Sequence, residues 1–186
     1  GLGHPTGIDL SGEAMGRLKV PGDSDWYNVD LGTNAFGQGV TVTPLQMMMA
    51  ASSIANNGQM VTPHILYSMV RDGHQYNVPP QYAGSPISLP TAHTITDMLA
   101  MSLEEESSQA LLPGYRLAGK TGTAQIPTEY GYDSWHTNVS FIGWGPVDDP
   151  QFMVYIWMES PSTSIWASET AAPVFAKVAE QTVILL

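Results

Sequence analysis

The segment LAGKTGTAQ (117–125) gathers groups able to hold an anion in a chain that is otherwise short of cations. Lys120 is accompanied by only two other lysines, Lys19 and Lys177, and is followed by Thr121, Gly122 and Thr123. An ammonium and two hydroxyls can donate hydrogen bonds to a carboxylate. The small residues around them let a ligand backbone come close to a strand edge, so that an extended peptide can add as one more strand. Period two puts Thr121, Thr123 and Gln125 on one face and Lys120 on the other, yet a long lysine on an edge strand can bend round to the same rim. The six residues KTGTAQ also admit a plainer reading, a glycine bulge at a strand end with an exposed lysine.

Other constellations carry less chemistry. His4, His64, His74, His93 and His136 are scattered without metal-ligand spacing, and no metal or cofactor is expected. Glu104, Glu105 and Glu106 follow one another at a helix C-terminus, where they oppose the dipole and point in different directions, which reads as a solvated, frayed end rather than a cation site. GQG (37–39) lacks the preceding strand and third glycine of a dinucleotide loop. Trp135 and His136 are expected in a loop after the KTG strand, the tryptophan packed on its own strand rather than lining a cleft.

Composition narrows the classes. The 186 residues hold 6 Lys plus Arg against 17 Asp plus Glu, a formal charge of −11, with no cysteine. Such a chain cannot supply the counterion release on which nucleic-acid binding depends, so no nucleic acid is expected as a partner. With 43% apolar and 12% charged residues it is a globular chain able to bury a core. Its longest apolar runs, Met47 to Ala51 and Phe152 to Met158, fall far short of the roughly 20 residues of a membrane-spanning helix. Without an initiating Met or a basic, then apolar, leader, Gly1 reads as a cut end.

The elements that position the lysine follow from pattern. Residues 1–39, rich in Gly, Pro, Asp and Asn, read as ordered loop. Thr43 as N-cap and Pro44 at the first helical position open a helix that Asn57 and Gly58 stop, with Leu45, Met48, Met49, Ser52 and Ala55 as its core stripe. Residues 60–70 read as a short extended run and 71–87 as loop. A second helix starts at Pro90, with Ala92, Ile95, Leu99 and Leu103 in its apolar stripe. Three strands, Tyr115 to Ile126, Asn138 to Gly145 and Gln151 to Met158, imply an antiparallel meander, the last two joined tightly by PVDDP. The unbroken apolar run FMVYIWM predicts cover on both faces. A helix over Thr170 to Leu185, with Ala172, Val174, Phe175, Val178, Ala179 and Val183, supplies part of it. The fold class is therefore α/β of the α+β type, an antiparallel sheet covered by helices.

KTGTAQ resembles the third signature motif of the penicillin-binding proteins and serine β-lactamases. Further segments are similar to class B penicillin-binding proteins in the same order. They are TGIDLSGE (6–13), with Ser11 where the family usually has Pro, FGQGVTVTPLQ (36–46), PGYRLAGKTGTAQ (113–125), SFIGWGPVDDPQFMV (140–154) and AAPVFAKVAE (171–180). The resemblance implies a D,D-transpeptidase that cross-links peptidoglycan stem peptides through an acyl-enzyme and is the target of β-lactams. Carried over, Lys120 matches the motif lysine, Thr121 and Thr123 the residues that bind the terminal carboxylate, and the Thr123 N–H one donor of the oxyanion hole. Gly122 keeps the strand bare where the substrate lies, and Gln125 is a rim contact. A β-lactamase or β-lactam sensor is the alternative within the fold; a non-catalytic module docking peptides or partners on the KTG strand is the alternative outside it.

One departure qualifies the match. The family's S-x-x-K and S-x-N motifs precede TGIDLPGE, and this sequence has neither: Gly16, Leu117 and Val174 stand three residues before its lysines, and no serine is followed two positions later by asparagine. The resemblance thus implies the C-terminal part of a transpeptidase domain (1–186), inactive alone. It also implies an extracytoplasmic location at the bacterial membrane, with an anchor outside this sequence. A domain lacking its first strands would leave Gln151 to Met158 as an apolar edge, so a second copy of the chain or an N-terminal fragment is expected to pair with it.

Overall fold

In the computed structural model, which describes residues 1–105, 108–129 and 131–186, the punctuated N-terminal stretch is not all loop: it holds α1 (Asn28–Ala35). NVDLGTNA is short and contains Gly32 and two asparagines, so no helical period announces it. Its open end is closed by Asp30, whose buried carboxylate accepts the Tyr27 backbone N–H (2.7 Å) and pairs with Lys19 Nζ (2.8 Å).

The helix α2 (Pro44–Ala55) begins where the sequence places it. Thr43 Oγ1 accepts the Gln46 backbone N–H (3.1 Å), and Gln46 Oε1 accepts the Thr43 N–H (3.0 Å), a reciprocal capping box. Its buried positions are Gln46, Met49, Ala51 and Ser53 rather than the expected stripe, of which only Met49 is buried. The rotation follows from Gln46, 2% exposed, whose side chain also accepts the Gly16 N–H (3.3 Å) and donates to the His4 carbonyl (2.7 Å). A helix face that ties down two stretches of loop is polar at its centre, and apolar periodicity alone misplaces it.

Residues 60–87 contain four strands instead of one run and a loop: β1 (Met60–Thr62), β2 (Ser68–Arg71), β3 (His74–Asn77) and β4 (Gln81–Gly84). β2 and β3 form an antiparallel hairpin, and β1 pairs with β4. The hairpin turns at Asp72 and Gly73, both with positive φ, a dipeptide signal that the sequence reading passed over. Within TGIDLSGE the carboxylates do the tying. Glu13 accepts the Thr6 N–H and hydroxyl (both 2.7 Å), and Asp9 accepts the N–H groups of Ile65 (2.8 Å) and Leu66 (3.0 Å).

The remainder is a helix, a meander and a helix: α3 (Leu89–Glu105), β5 (Ala118–Thr128), β6 (Gly131–Gly145), β7 (Phe152–Glu159) and α4 (Ala171–Leu185). The sheet is antiparallel in the order β5-β6-β7, as expected, and among the described residues β5 and β7 are its edges. β5 starts at Ala118, three residues later than expected, because Tyr115 is spent on a bridge to Leu112. β6 starts at Gly131, so Trp135 and His136 lie in a strand and not in a loop. Register puts Val139, Phe141 and Gly143 of β6 on one face beside Phe152, Val154, Ile156 and Met158 of β7, and α4 covers that face with Ala171, Ala172, Phe175 and Ala179. Trp144, on the opposite face, is 1% exposed, and α3 packs against β5. Glu104 is not solvated freely: Arg116 bridges it (3.2 Å) to Asp97 (3.1 Å), while Glu106 lies outside the described residues. No helix among the described residues is long and apolar enough to cross a membrane. By its internal contacts the chain divides into Gly1–Ser88 and Leu89–Leu186.

Three carboxylates of Gly1–Ser88 have pKa values held below the ordinary range: Asp30 by Lys19 and then the Tyr27 N–H, Glu13 by Thr6, and Asp9 by the Ile65 and Leu66 N–H groups. The folded form therefore binds fewer protons than the unfolded form near the ordinary values. The stability they contribute is complete above the ordinary carboxylate range, about pH 5, and is lost as the pH falls below about 4 toward the lowered values. Urea titrations at about pH 6 and about pH 3 should show the midpoint falling, and Asp30→Asn should flatten that dependence.

Candidate functional site

The residues singled out in LAGKTGTAQ lie on β5, whose inner edge is bonded to β6 from Ala118↔Trp144 to Gln125↔Thr137. Cross-strand partners share a face. Thr121 and Thr123 therefore stand with Phe141 and Val139 on the face that α4 covers, while Lys120 and Gly122 stand opposite with Ile142 and Ser140.

Lys120 leaves its own face. Its Nζ turns along the strand to donate to Thr121 Oγ1 (3.1 Å), with the Thr121 carbonyl at 3.4 Å. The ammonium and the first hydroxyl thus meet on one rim, as a bent lysine on an edge strand requires. Thr123 is exposed, and its Oγ1 accepts the Ala167 backbone N–H (3.3 Å) from the segment before α4. Gln125 is exposed at the far end, where a bulge interrupts the register before Pro127. A cavity of about 330 Å³ opens beside Lys120 and Thr121, walled by Gly119, Leu103, Gln109 and the serines 102, 108 and 168. Such an arrangement of one cation and several hydroxyls on a strand edge that is unpaired among the described residues can bind an anionic group at the end of an extended chain.

Gly122 has a reason the sequence reading did not supply. A Cβ there would lie 2.6 Å from Ser140 Oγ on the neighbouring strand, so the bare position is required first by β6. Gly119 is more constrained, since a Cβ would meet the Ile142 carbonyl and the Phe141 ring, both at 2.8 Å.

A second cluster lies at the start of β6. Asp133 accepts the backbone N–H groups of Trp135 (2.7 Å) and His136 (3.2 Å), and its other oxygen meets His136 Nδ1 at 2.7 Å. The Trp135 N–H, and then the imidazole, hold the carboxyl below its ordinary range. Trp135 does not pack on its own strand; it is 82% exposed and borders a cavity of about 390 Å³ with Ser160–Ile165. Neither Thr137 nor Ala167 stands out in the sequence, because a backbone N–H donor leaves no mark on composition. Thr137 is 3% exposed; its hydroxyl donates to the Ile165 carbonyl (2.8 Å), and its own carbonyl accepts the Ser160 N–H (3.0 Å).

Residues 1–180 match the family model described as the penicillin binding protein transpeptidase domain. Stage V sporulation protein D of Bacillus subtilis (strain 168) is 37% identical over 186 residues, a match that takes in 96% of this chain and 28% of that protein. The chain thus spans less than a third of the length of this curated relative. Among solved structures, apo penicillin binding protein 3 from Mycobacterium tuberculosis superposes with a TM-score of 0.84 at 31% identity, over 98% of this chain and 44% of that one. The same protein complexed with ampicillin gives 0.83 at 32% identity, over 98% of this chain and 43% of that one.

The contact between Gly122 and Ser140 is open to a direct test. Gly122→Ala should lower stability by about 1 kcal/mol, and Ser140→Ala in the same chain should recover most of it, giving a non-additive double-mutant cycle in urea denaturation. Additive losses would show that Gly122 is not set by Ser140.

Proposed function

We propose that this chain, which belongs to the penicillin-binding protein transpeptidase domain family, presents the carboxylate-binding strand of a peptidoglycan D,D-transpeptidase. The observation that carries the reading is the meeting of Lys120 Nζ and Thr121 Oγ1, 3.1 Å apart, on an edge of β5 that is open among the described residues. A stem peptide lying along β5 places its C-terminal D-Ala carboxylate against Lys120, Thr121 and Thr123. Gly122 lies under its backbone, and Gln125 lies at the rim. The reactive carbonyl then sits beside the Thr123 N–H, which stabilises the oxyanion as it develops. β-Lactams, which carry a carboxylate beside an electrophilic carbonyl, occupy the same strand.

The acyl-transfer step needs a serine hydroxyl and a base, and no S-x-x-K or S-x-N motif occurs in this sequence. We therefore assign to these residues binding, orientation and one oxyanion donor. The attacking oxygen belongs to the part of the transpeptidase domain that carries those motifs. This division also favours a second reading, a binding module that docks peptides without turning them over. The substrate, a cell-wall peptide, places the protein on the outer side of the bacterial cell membrane. The β7 edge, open among the described residues and with Trp157 half exposed, is where the remainder of the domain or a second copy pairs. Light scattering at high concentration should report a species larger than one chain, and a strict monomer would remove this pairing.

Fluorescent penicillin separates the readings. On a denaturing gel this chain alone should carry no covalent label; a longer protein that joins it to an S-x-x-K segment should be labelled, and Lys120→Ala should abolish the band. Label on the chain alone would overturn the division of roles. Full labelling of the Lys120→Ala protein would overturn the place of Lys120.

A further inference from the structure

We propose that Thr137 is a positioning residue for the carboxylate-binding hydroxyl of Thr123, acting through the segment 160–167. The inference rests on the reading of β5 as a carboxylate-binding strand. Thr123 presents one hydroxyl, and a hydroxyl is donor and acceptor at once. In water its rotor is indifferent between the two roles, whereas a carboxylate accepts only. Here Thr123 Oγ1 already accepts the Ala167 N–H (3.3 Å), which occupies a lone pair and leaves the proton to be given outward. That backbone N–H therefore sets the polarity of the site without touching the ligand.

Ala167 can do this only if its segment is held at the correct height over β5 and β6, and Thr137 holds it at two points. The Thr137 carbonyl accepts the Ser160 N–H (3.0 Å) where the chain leaves β7, and its hydroxyl donates to the Ile165 carbonyl (2.8 Å) two residues before Ala167. The hydroxyl belongs to a residue only 3% exposed, so its loss removes an interior tie to the half-buried Ile165. On the far side the Ala167 carbonyl accepts the Ala172 N–H (2.9 Å), which ties the segment to the first turn of α4. Register completes the lever: Thr137 is the direct cross-strand partner of Gln125, two positions along β5 from Thr123.

The test uses this chain and two probes, an N-acylated D-alanyl-D-alanine with a free carboxylate and its C-terminal amide, titrated by NMR. The wild-type chain should prefer the carboxylate. Thr137→Val, nearly the same shape without the hydroxyl, should weaken carboxylate binding about fivefold, leave the amide unchanged and speed hydrogen exchange at the Ala167 N–H. Thr137→Ser should restore both, and Thr123→Val should abolish the preference. Where Thr137→Val does not fold, Thr137→Ala removes the hydroxyl without refilling its site and is read in the same way. A folded variant without the hydroxyl that keeps the full preference overturns the proposal while the strand reading stands. A wild-type chain that binds both probes alike overturns the strand reading, and with it the need for any positioning.

Discussion

Two missing side chains set where β5 can lie. Gly119 and Gly143 are direct partners across β5 and β6. A Cβ on Gly143 would come within 2.7 Å of the Phe175 ring and 3.0 Å of the Ala118 carbonyl; one on Gly119 would strike Phe141. The two phenylalanine rings, 4.6 Å apart and tilted at 42°, fill the volume so left. Burying each stabilises the fold by about 1.5–3 kcal/mol. Helix α4 thus rests on the sheet as closely as bare backbone permits, and Lys120 is the next residue along. The apolar energy that holds the strand is gathered one residue before the ammonium that the strand displays, so the cation is kept at an edge without being buried.

The two edges of the sheet differ in chemistry. An unpaired strand edge is a template for any other chain, and proteins ordinarily blunt it with charge, proline or cover. β5 carries Lys120, three threonine hydroxyls and Pro127, so its edge is polar and holds a cation. β7 reaches its first charge only at Glu159, after a run of apolar residues. The polar character of the first edge and the apolar character of the second follow from side-chain type alone, since the backbone groups offered are alike.

How far the sequence discloses this depends on which force holds each part. The meander and α4 rest on apolar burial, and period and run length place them to within a few residues. β6 is longer than expected because GYDSWHT is polar and looks like loop, whereas pairing with β5 carries it into the sheet. The helix α1 and the loops of TGIDLSGE were invisible because single polar side chains hold them: Asp30, Asp9 and Glu13 each satisfy backbone N–H groups whose positions only the fold reveals. In the candidate site Lys120 and Thr121 come together because the lysine bends round to the rim, against the alternation of the strand. Gly122 is set by Ser140 across the sheet, and the Ala167 donor arises 44 positions away from Thr123, beyond any local pattern.

The irregular segments share a device that the charge balance explains. Gln46 in Gly1–Ser88 and Thr137 in Leu89–Leu186 are nearly inaccessible, uncharged, and bonded to the backbone of segments without regular structure. At Gln46 a carboxylate could accept the same N–H groups, and at Thr137 it could not donate to the Ile165 carbonyl at all; in a chain of net charge −11 each further buried anion would also add self-repulsion and a desolvation cost. Neutral amides and hydroxyls avoid both terms while leaving donors and acceptors satisfied. The carboxylates that do serve as ties include those with a lysine, an arginine, a histidine or several N–H groups in reach. In an acidic chain each buried position filled by a neutral amide or hydroxyl leaves one anion fewer to offset the field of the few cations.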